Sequence, residues 1–291
     1  MVTVRVPATT ANLACGFDTL GCALKLYNTV CFEPADELRF DGCDEEFCNE
    51  DNLAWRGFRA VYDHIGQKAP FVHIMIHADI PVCRGLGSSA AMIASGAVAA
   101  NELSGAKLSR EELLSIVTPI EGHPDNLAPA LLGGMTASVS DDGAVRSVRY
   151  AVSDALHFFV LYPDFTLSTH LARGALPKTV AYADAVYNLS HLALLPKAME
   201  TGDEALLSLC LRDRLHQPYR RPLIAEYGEV EAAANLLGCR CVCISGAGPS
   251  VLCISRDAAL GARLRDAVKD LSHRWTVLEL SVDSEGAKAT L

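Results

Sequence analysis

A β-rich run, "FVHIMIHADIP" (71–81), passes directly into "PVCRGLGSSAA" (Pro81–Ala91), and this loop opens the small-residue stretch "SSAAMIASGAVAANELSG". Strand, glycine loop and tightly packed helix in that order restrict the chain more than any other feature. Gly85 and Gly87 free the backbone to approach a bound group, and the first amides of the following helix point at it. "GLGSSA" satisfies the dinucleotide pattern G-x-G-x-x-G/A, but the ribose-binding acid of that motif should end a second strand about 20 residues on. The residues there, "ANELSGAKLSREELL", are polar and helical, which argues against that reading. A loop of the G-x-x-x-x-G-K-[ST] kind is excluded by the missing lysine. The plain alternative is a glycine turn that merely opens a packed helix. The remaining reading is a phosphate cradle in which Ser88 or Ser89 offers a hydroxyl to magnesium, an ion that favours oxygen ligands.

Magnesium also wants a carboxylate. Glu121 in "EGHPDNLAPALLGG" supplies one, just after a helix whose start is marked by the capping box Ser109 and Glu112. The loop therefore reads as the holder of a nucleotide's phosphates. A formal net charge of −10 over 291 residues argues against a nucleic-acid partner. It leaves a phosphorylated ligand open, because local amides and a metal offset phosphate charge. The N-terminus "MVTVRVPATT" reads as a strand with no apolar leader. Apolar runs elsewhere are broken by Ser, Gly, Asn or Pro before they reach the roughly 20 residues of a membrane span. The expectation is a cytoplasmic protein with no membrane partner. Eleven cysteines without a C-x-x-C pair or zinc spacing read as reduced and mostly buried, with Cys239, Cys241 and Cys243 alternating on one strand face.

Strands are expected over 2–6, 22–33, 157–164, 240–245, 250–255 and 275–282, and helices over 52–66, 88–103, 179–199, 203–211 and 256–270. "MTASVSDDGAVRSVRY" reads as two strands joined by an Asp-Gly turn. No repeat or linker divides the chain. The change of pattern near 150–165 places a domain boundary between 1–153 and 154–291.

Four stretches together resemble the GHMP kinases (galactokinase, homoserine kinase, mevalonate kinase, phosphomevalonate kinase), and among them the homoserine kinases. They are "VPATTANLACGFDTLGCALKLYN" (6–28), "PVCRGLGSSAA", "EGHPDNLAPALLGG" and "SGAGPSVLCI" (245–254). The first and the "EGHPDN" segment point to homoserine kinases in particular, and the likeness runs through almost the whole chain. It implies an α+β fold: an N-terminal α/β domain of the ribosomal-protein-S5-like type, a C-terminal ferredoxin-like domain, and the site between them. It also implies transfer of the γ-phosphoryl group of ATP, with Mg2+, to the side-chain hydroxyl of L-homoserine, a step of threonine biosynthesis.

Carried over, Pro81, Val82, Cys83, Arg84, Gly85, Leu86, Gly87, Ser88, Ser89, Ala90 and Ala91 wrap the ATP phosphates. Ser89 (or Ser88) and Glu121 serve magnesium, while Asn12 and Asp18 face the amino acid. Arg173 in "STHLARGALP" and Arg220 in "HQPYRRPLI" contact the substrate carboxylate, with Thr169 nearby and Arg221 the adjacent alternative. The planar arginine fork suits that group because it donates two parallel hydrogen bonds. His123 is a candidate to orient the substrate. Asp125 is the candidate base; one residue of slippage would put Asn126 there and leave no carboxylate base. Gly246 and Gly248 allow a tight turn against the phosphate loop or substrate. Ala14-Cys15 departs from a family pattern that is often Gly-Pro. Two other functions compete. A related kinase would act on another small alcohol. A non-catalytic binding protein would have lost Glu121, the loop serines or the arginines, all of which remain. The sequence leaves a homodimer open.

Overall fold

The computed structural model describes all 291 residues. β1 (Val2–Ala11) and β2 (Leu20–Pro34) form a long antiparallel pair whose register shifts at Pro7/Ala8. The chain continues through β3 (Arg39–Asp41), α1 (Leu53–His64) and β4 (Val72–Ala78), with β4 antiparallel to β2 and parallel to β3. Next come α2 (Ser88–Ser104), α3 (Arg110–Glu121) and α4 (Leu127–Leu132), then the hairpin of β5 (Met135–Asp141) and β6 (Ala144–Tyr150). β5 pairs with the start of β2. The capping box on α3 is present, with Ser109 and Glu112 satisfying each other's backbone amides.

The second half contains β7 (His157–Tyr162), α5 (Thr169–Gly174), α6 (Tyr182–Thr201), α7 (Glu204–Cys210), α8 (Gln217–Arg220) and α9 (Tyr227–Leu236). It ends with β8 (Val242–Ile244), β9 (Val251–Ser255), α10 (Leu260–Val268), β10 (Thr276–Leu280) and β11 (Lys288–Thr290). The order β10-β7-β9-β8 makes an antiparallel four-stranded sheet, and α9 and α10 pack on it around Phe159, Val230 and Leu264. β11 leaves that sheet and pairs with the edge of β1, so the C-terminus completes the first sheet.

The small-residue helix lies at the centre of the larger core, where Ala90, Ala94, Ala97 and Ala100 are fully buried. Alanines on every side let α1, α3, α4 and β1 all approach it closely. It is thereby the rigid post on which the glycine loop is mounted. The strand expected over 71–81 stops at Ala78, because Asp79 onward turns away to build that loop. The helix expected over 256–270 is shorter, 260–268. Short helices at 169–174 and 217–220, and α9, carry too few periodic residues to stand out in the sequence. No helix is long and apolar enough to cross a membrane.

Candidate active site

The glycine loop is held from behind by the first and third motifs. Thr9 N donates to Leu86 O (3.1 Å), and Ser245 Oγ donates to Gly85 O (2.7 Å). Ser250 Oγ donates to Arg84 O, and Gly246 N to Ala11 O (3.1 Å). Gly85 has a φ of +69°, and a Cβ there would stand 2.3 Å from Ser245 O; one on Gly87 would stand 1.9 Å from Thr9 Oγ1. Both glycines are thus required for the loop to pack on its supports as well as for access by a ligand. Gly85→Ala is expected to cost about 1–3 kcal/mol or more, read by chemical denaturation, together with a raised KM for ATP. Gly87 caps α2 without a side-chain acceptor, so the first amides of this 17-residue helix are open to an anion.

At the mouth of this helix Ser89 Oγ donates to Glu121 Oε1 at 2.5 Å. Glu121 ends α3, and burial, opposed by the Ser89 bond and the nearby His123, raises its pKa above the usual carboxylate range. A half-buried carboxylate without an ion-pair partner, beside a hydroxyl, suits a hard divalent ion. No group of three or more His, Cys, Asp or Glu side chains is gathered that could cage a metal. A carboxylate and a hydroxyl are the hard oxygen donors that magnesium favours, so Ser89 and Glu121 are the residues that would hold it. Two residues on, His123 Nδ1 lies 2.6 Å from Asp125 Oδ1, and Asp125 is 2% exposed. Burial pulls the His123 pKa down, but the hydrogen bond and charge of Asp125, with Glu121 and Asp18 behind them, raise it overall. Asn126 Nδ2 reaches Asp125 at 3.4 Å, while its Oδ1 accepts from Thr9 Oγ1 at 2.7 Å.

The other half of the site is cationic. Arg173 on α5 donates two parallel bonds to Asp18, 2.8 and 2.9 Å. Arg220 on α8 is 1% exposed, and Phe17 lies beneath both guanidinium groups at 5.1 Å from Arg220 and 5.7 Å from Arg173. Burial, followed by the charge of Arg173, lowers the Arg220 pKa. Arg221 points elsewhere, pairing with Glu231 at 3.1 Å and stacking on Tyr227. Asn12 fixes the geometry: its Oδ1 accepts from Asp18 N (2.9 Å) and its Nδ2 donates to Gly246 O (2.7 Å). Asn12, Leu13 and Ala14 are all left-handed, at φ of 70°, 39° and 57°. A glycine at position 14 would take that conformation without strain. The loop closes with alanine there nonetheless.

These groups line one cleft of about 720 Å³. It brings together Asn12, Asp18, Val82, Cys83, Arg84, Gly85, Gly87, Ser88, Ser89, Glu121, His123, Asp125, Asn126, Thr169, Arg173 and Arg220. Pro81 does not line it, and Leu86, Ala90 and Ala91 turn their side chains into the core, so only their backbone can serve a ligand. Sequence reasoning missed the wall formed by Gly42 to Leu53, with Asn28 and Asn52, which extends the cleft beyond the phosphate loop. It also missed Phe17, inside the first of the four stretches, and His216, one helical turn before Arg220. The i, i+4 spacing in "HQPYR" was the available signal.

The chain matches the family description "GHMP kinases N terminal domain" over residues 52–134 and "GHMP kinases C terminal" over residues 194–273. It is 43% identical over 289 residues to a homoserine kinase of Clostridium botulinum (strain 657 / Type Ba4), covering 98% of this chain and 97% of that one. A homoserine kinase of Clostridium beijerinckii is 43% identical over 291 residues, covering 99% and 98%. The crystal structure of homoserine kinase from Cytophaga hutchinsonii superposes with a TM-score of 0.89 at 28% identity, covering 99% of this chain and 97% of that one. These two domains in one chain define a small-molecule kinase of the GHMP class. Within that class, the chain belongs to the homoserine kinase family.

Proposed function

We propose that this cleft transfers the γ-phosphoryl group of ATP to the side-chain hydroxyl of L-homoserine, giving ADP and O-phospho-L-homoserine. The observation that carries the reading is the gathering of these groups in one cleft. Open helix amides with Ser89 and Glu121 share the cleft lining with Asp18, Arg173 and Arg220. Homoserine is a zwitterion. Asp18 accepts from its ammonium and the arginines donate to its carboxylate, while Asn12 holds the Asp18 backbone in place. Ser89 and Glu121 would hold Mg2+, which when bound neutralises charge on the β- and γ-phosphates. The amides at the start of α2 bind phosphate oxygens, and the loop, pinned by Ser245 and Ser250, keeps them from moving as charge shifts. Asp125, oriented by His123, stands ready to take the hydroxyl proton. The two-domain reading, 1–153 and 154–291, is supported by the first sheet's hairpin ending at Tyr150 and the second sheet beginning at His157. Eleven free thiols and an ATP substrate favour a cytoplasmic setting.

A coupled assay for ADP, with L-homoserine against other hydroxy amino acids and small alcohols, tests the substrate. Equal rates across that panel would overturn it. Arg173→Leu tests the clamp. Charge-assisted hydrogen bonds contribute about 1.5–3 kcal/mol each, so kcat/KM for homoserine should fall about tenfold to a few hundredfold. The KM for ATP should hold. The carboxyl-free analogue 3-aminopropan-1-ol should be a poor substrate that loses much less than homoserine, feeling the mutation only through Asp18, the partner of Arg173. Equal losses on both substrates would assign Arg173 to fold or nucleotide instead.

A further inference from the structure

Behind the arginine clamp lies a histidine that none of these steps uses. His216 is fully buried and its ring stacks on Phe17, with centroids 5.1 Å apart. Its Nε2 is 2.9 Å from the carbonyl oxygen of Ala14, which can only accept, so Nε2 carries the proton. Its Nδ1 is 3.3 Å from Nη1 of Arg220, and a guanidinium can only donate. The ring is therefore a neutral tautomer that donates to the first motif and accepts from Arg220. Burial and the Arg220 charge, opposed by Asp213, push its pKa down to about 4, which keeps it neutral over the working range.

The scaffold beneath the ring is well built. The Asp213 carboxylate accepts from the amides of Leu215 (3.0 Å), His216 (2.9 Å) and Gln217 (2.6 Å), and from Asn188 Nδ2 (2.7 Å). That fixes the turn from which His216 and Arg220 project. Arg220 is further held by Gly246 O on Nη1 (3.3 Å) and Ala172 O on Nε (3.4 Å), and no protein acceptor takes its Nη2 protons. Every protein atom that orients Arg220 is thus neutral. Arg173 differs, because the Asp18 carboxylate both orients it and matches its charge.

We propose that His216 is a positioning residue for phosphoryl transfer: as a neutral acceptor anchored to Ala14, it aims the Arg220 guanidinium at the substrate carboxylate without cancelling its charge. The proposal rests on the reading of Arg220 as a carboxylate ligand. Two variants separate the functions of the ring. His216→Asn keeps an acceptor where Nδ1 stood and gives up the Ala14 bond. His216→Gln keeps a donor where Nε2 stood and gives up the acceptor facing Arg220.

Steady-state kinetics with melting temperatures decide the matter. His216→Gln should raise the homoserine KM about tenfold or more, with kcat and the ATP KM near wild type. His216→Asn should keep the homoserine KM near wild type even where its melting temperature drops. Turnover of 3-aminopropan-1-ol should be indifferent to both. Equal rises in the Asn and Gln variants would overturn the proposal. So would an unchanged KM in His216→Gln when Arg220→Leu raises it. An Arg220→Leu enzyme with unaltered homoserine KM would instead remove the carboxylate reading itself. Should the Gln variant not fold, the Asn variant decides: a retained KM supports the proposal and a tenfold rise sinks it.

Discussion

Replacing Glu121 with alanine should lower kcat by about 10²–10⁴, the span expected when several kcal/mol of metal-borne charge stabilisation is withdrawn. The fold should survive. Glu121 terminates α3 at the cleft, and the helix is held by its capping box and by Leu113, Leu114 and Val117 in the core. Glutamine at the same place makes a sharper test. Its carbonyl oxygen can still accept from Ser89, so geometry is kept while the charge is lost. The Glu121 pKa is raised by burial, so the stability conferred by a protonated carboxyl is present at acid pH and lost as pH rises through the folded-state value. Glu121→Gln should therefore melt higher than wild type in metal-free buffer near pH 8, and by no more than wild type near pH 4. Adding Mg-ATP should raise the melting temperature of wild type much more than that of the variant. A Gln enzyme active at limiting magnesium would remove Glu121 from the metal, and one melting below wild type at pH 8 would remove the burial cost assigned to its carboxylate.

The sequence was most legible where chemistry demanded a local pattern. The glycine loop and the helix it opens declared themselves through a strand, paired glycines and serines in one run, and α3 through its capping box. Ser89 and Glu121, which the sequence offered as oxygen donors for one ion, meet at 2.5 Å in a direct hydrogen bond. What stayed hidden depends on contacts between distant segments. Nothing local says that Gly85 must be glycine because Ser245 O, 160 residues away, would meet its Cβ. The choice of Arg220 over Arg221 is likewise tertiary: Glu231 and Tyr227 take Arg221, and Phe17 and His216 receive Arg220. β11 escaped notice because three residues carry no period; the edge of β1 makes them a strand. The wall from Gly42 to Leu53 has mixed polarity and little regular structure, so only its place in the fold marks it as part of the cleft.

Asp125→Asn should reduce kcat by about 10²–10⁴, the usual contribution of a general base. The residue is 2% exposed, lines the cleft, and meets His123 Nδ1 at 2.6 Å. Phosphoryl transfer rests chiefly on positioning and charge, so direct loss of the hydroxyl proton to the phosphate is the rival route. The pH profile tells them apart. Burial pulls the His123 pKa down, but its bond to Asp125 and that carboxylate's charge raise it overall. With a base at work, kcat/KM should carry an acid limb that depends on a carboxylate at 125, and Asn there should abolish that limb as well as most of the rate. Asn126→Ala should differ in kind. It breaks the 2.7 Å bond from Thr9 Oγ1, which joins β1 to the start of α4 beside the phosphate loop. Its effect should be a lower melting temperature and a higher ATP KM, with the acid limb intact. An Asp125→Asn enzyme that loses less than about tenfold in kcat, at steady KM and with the acid limb unchanged, would establish transfer without a carboxylate base.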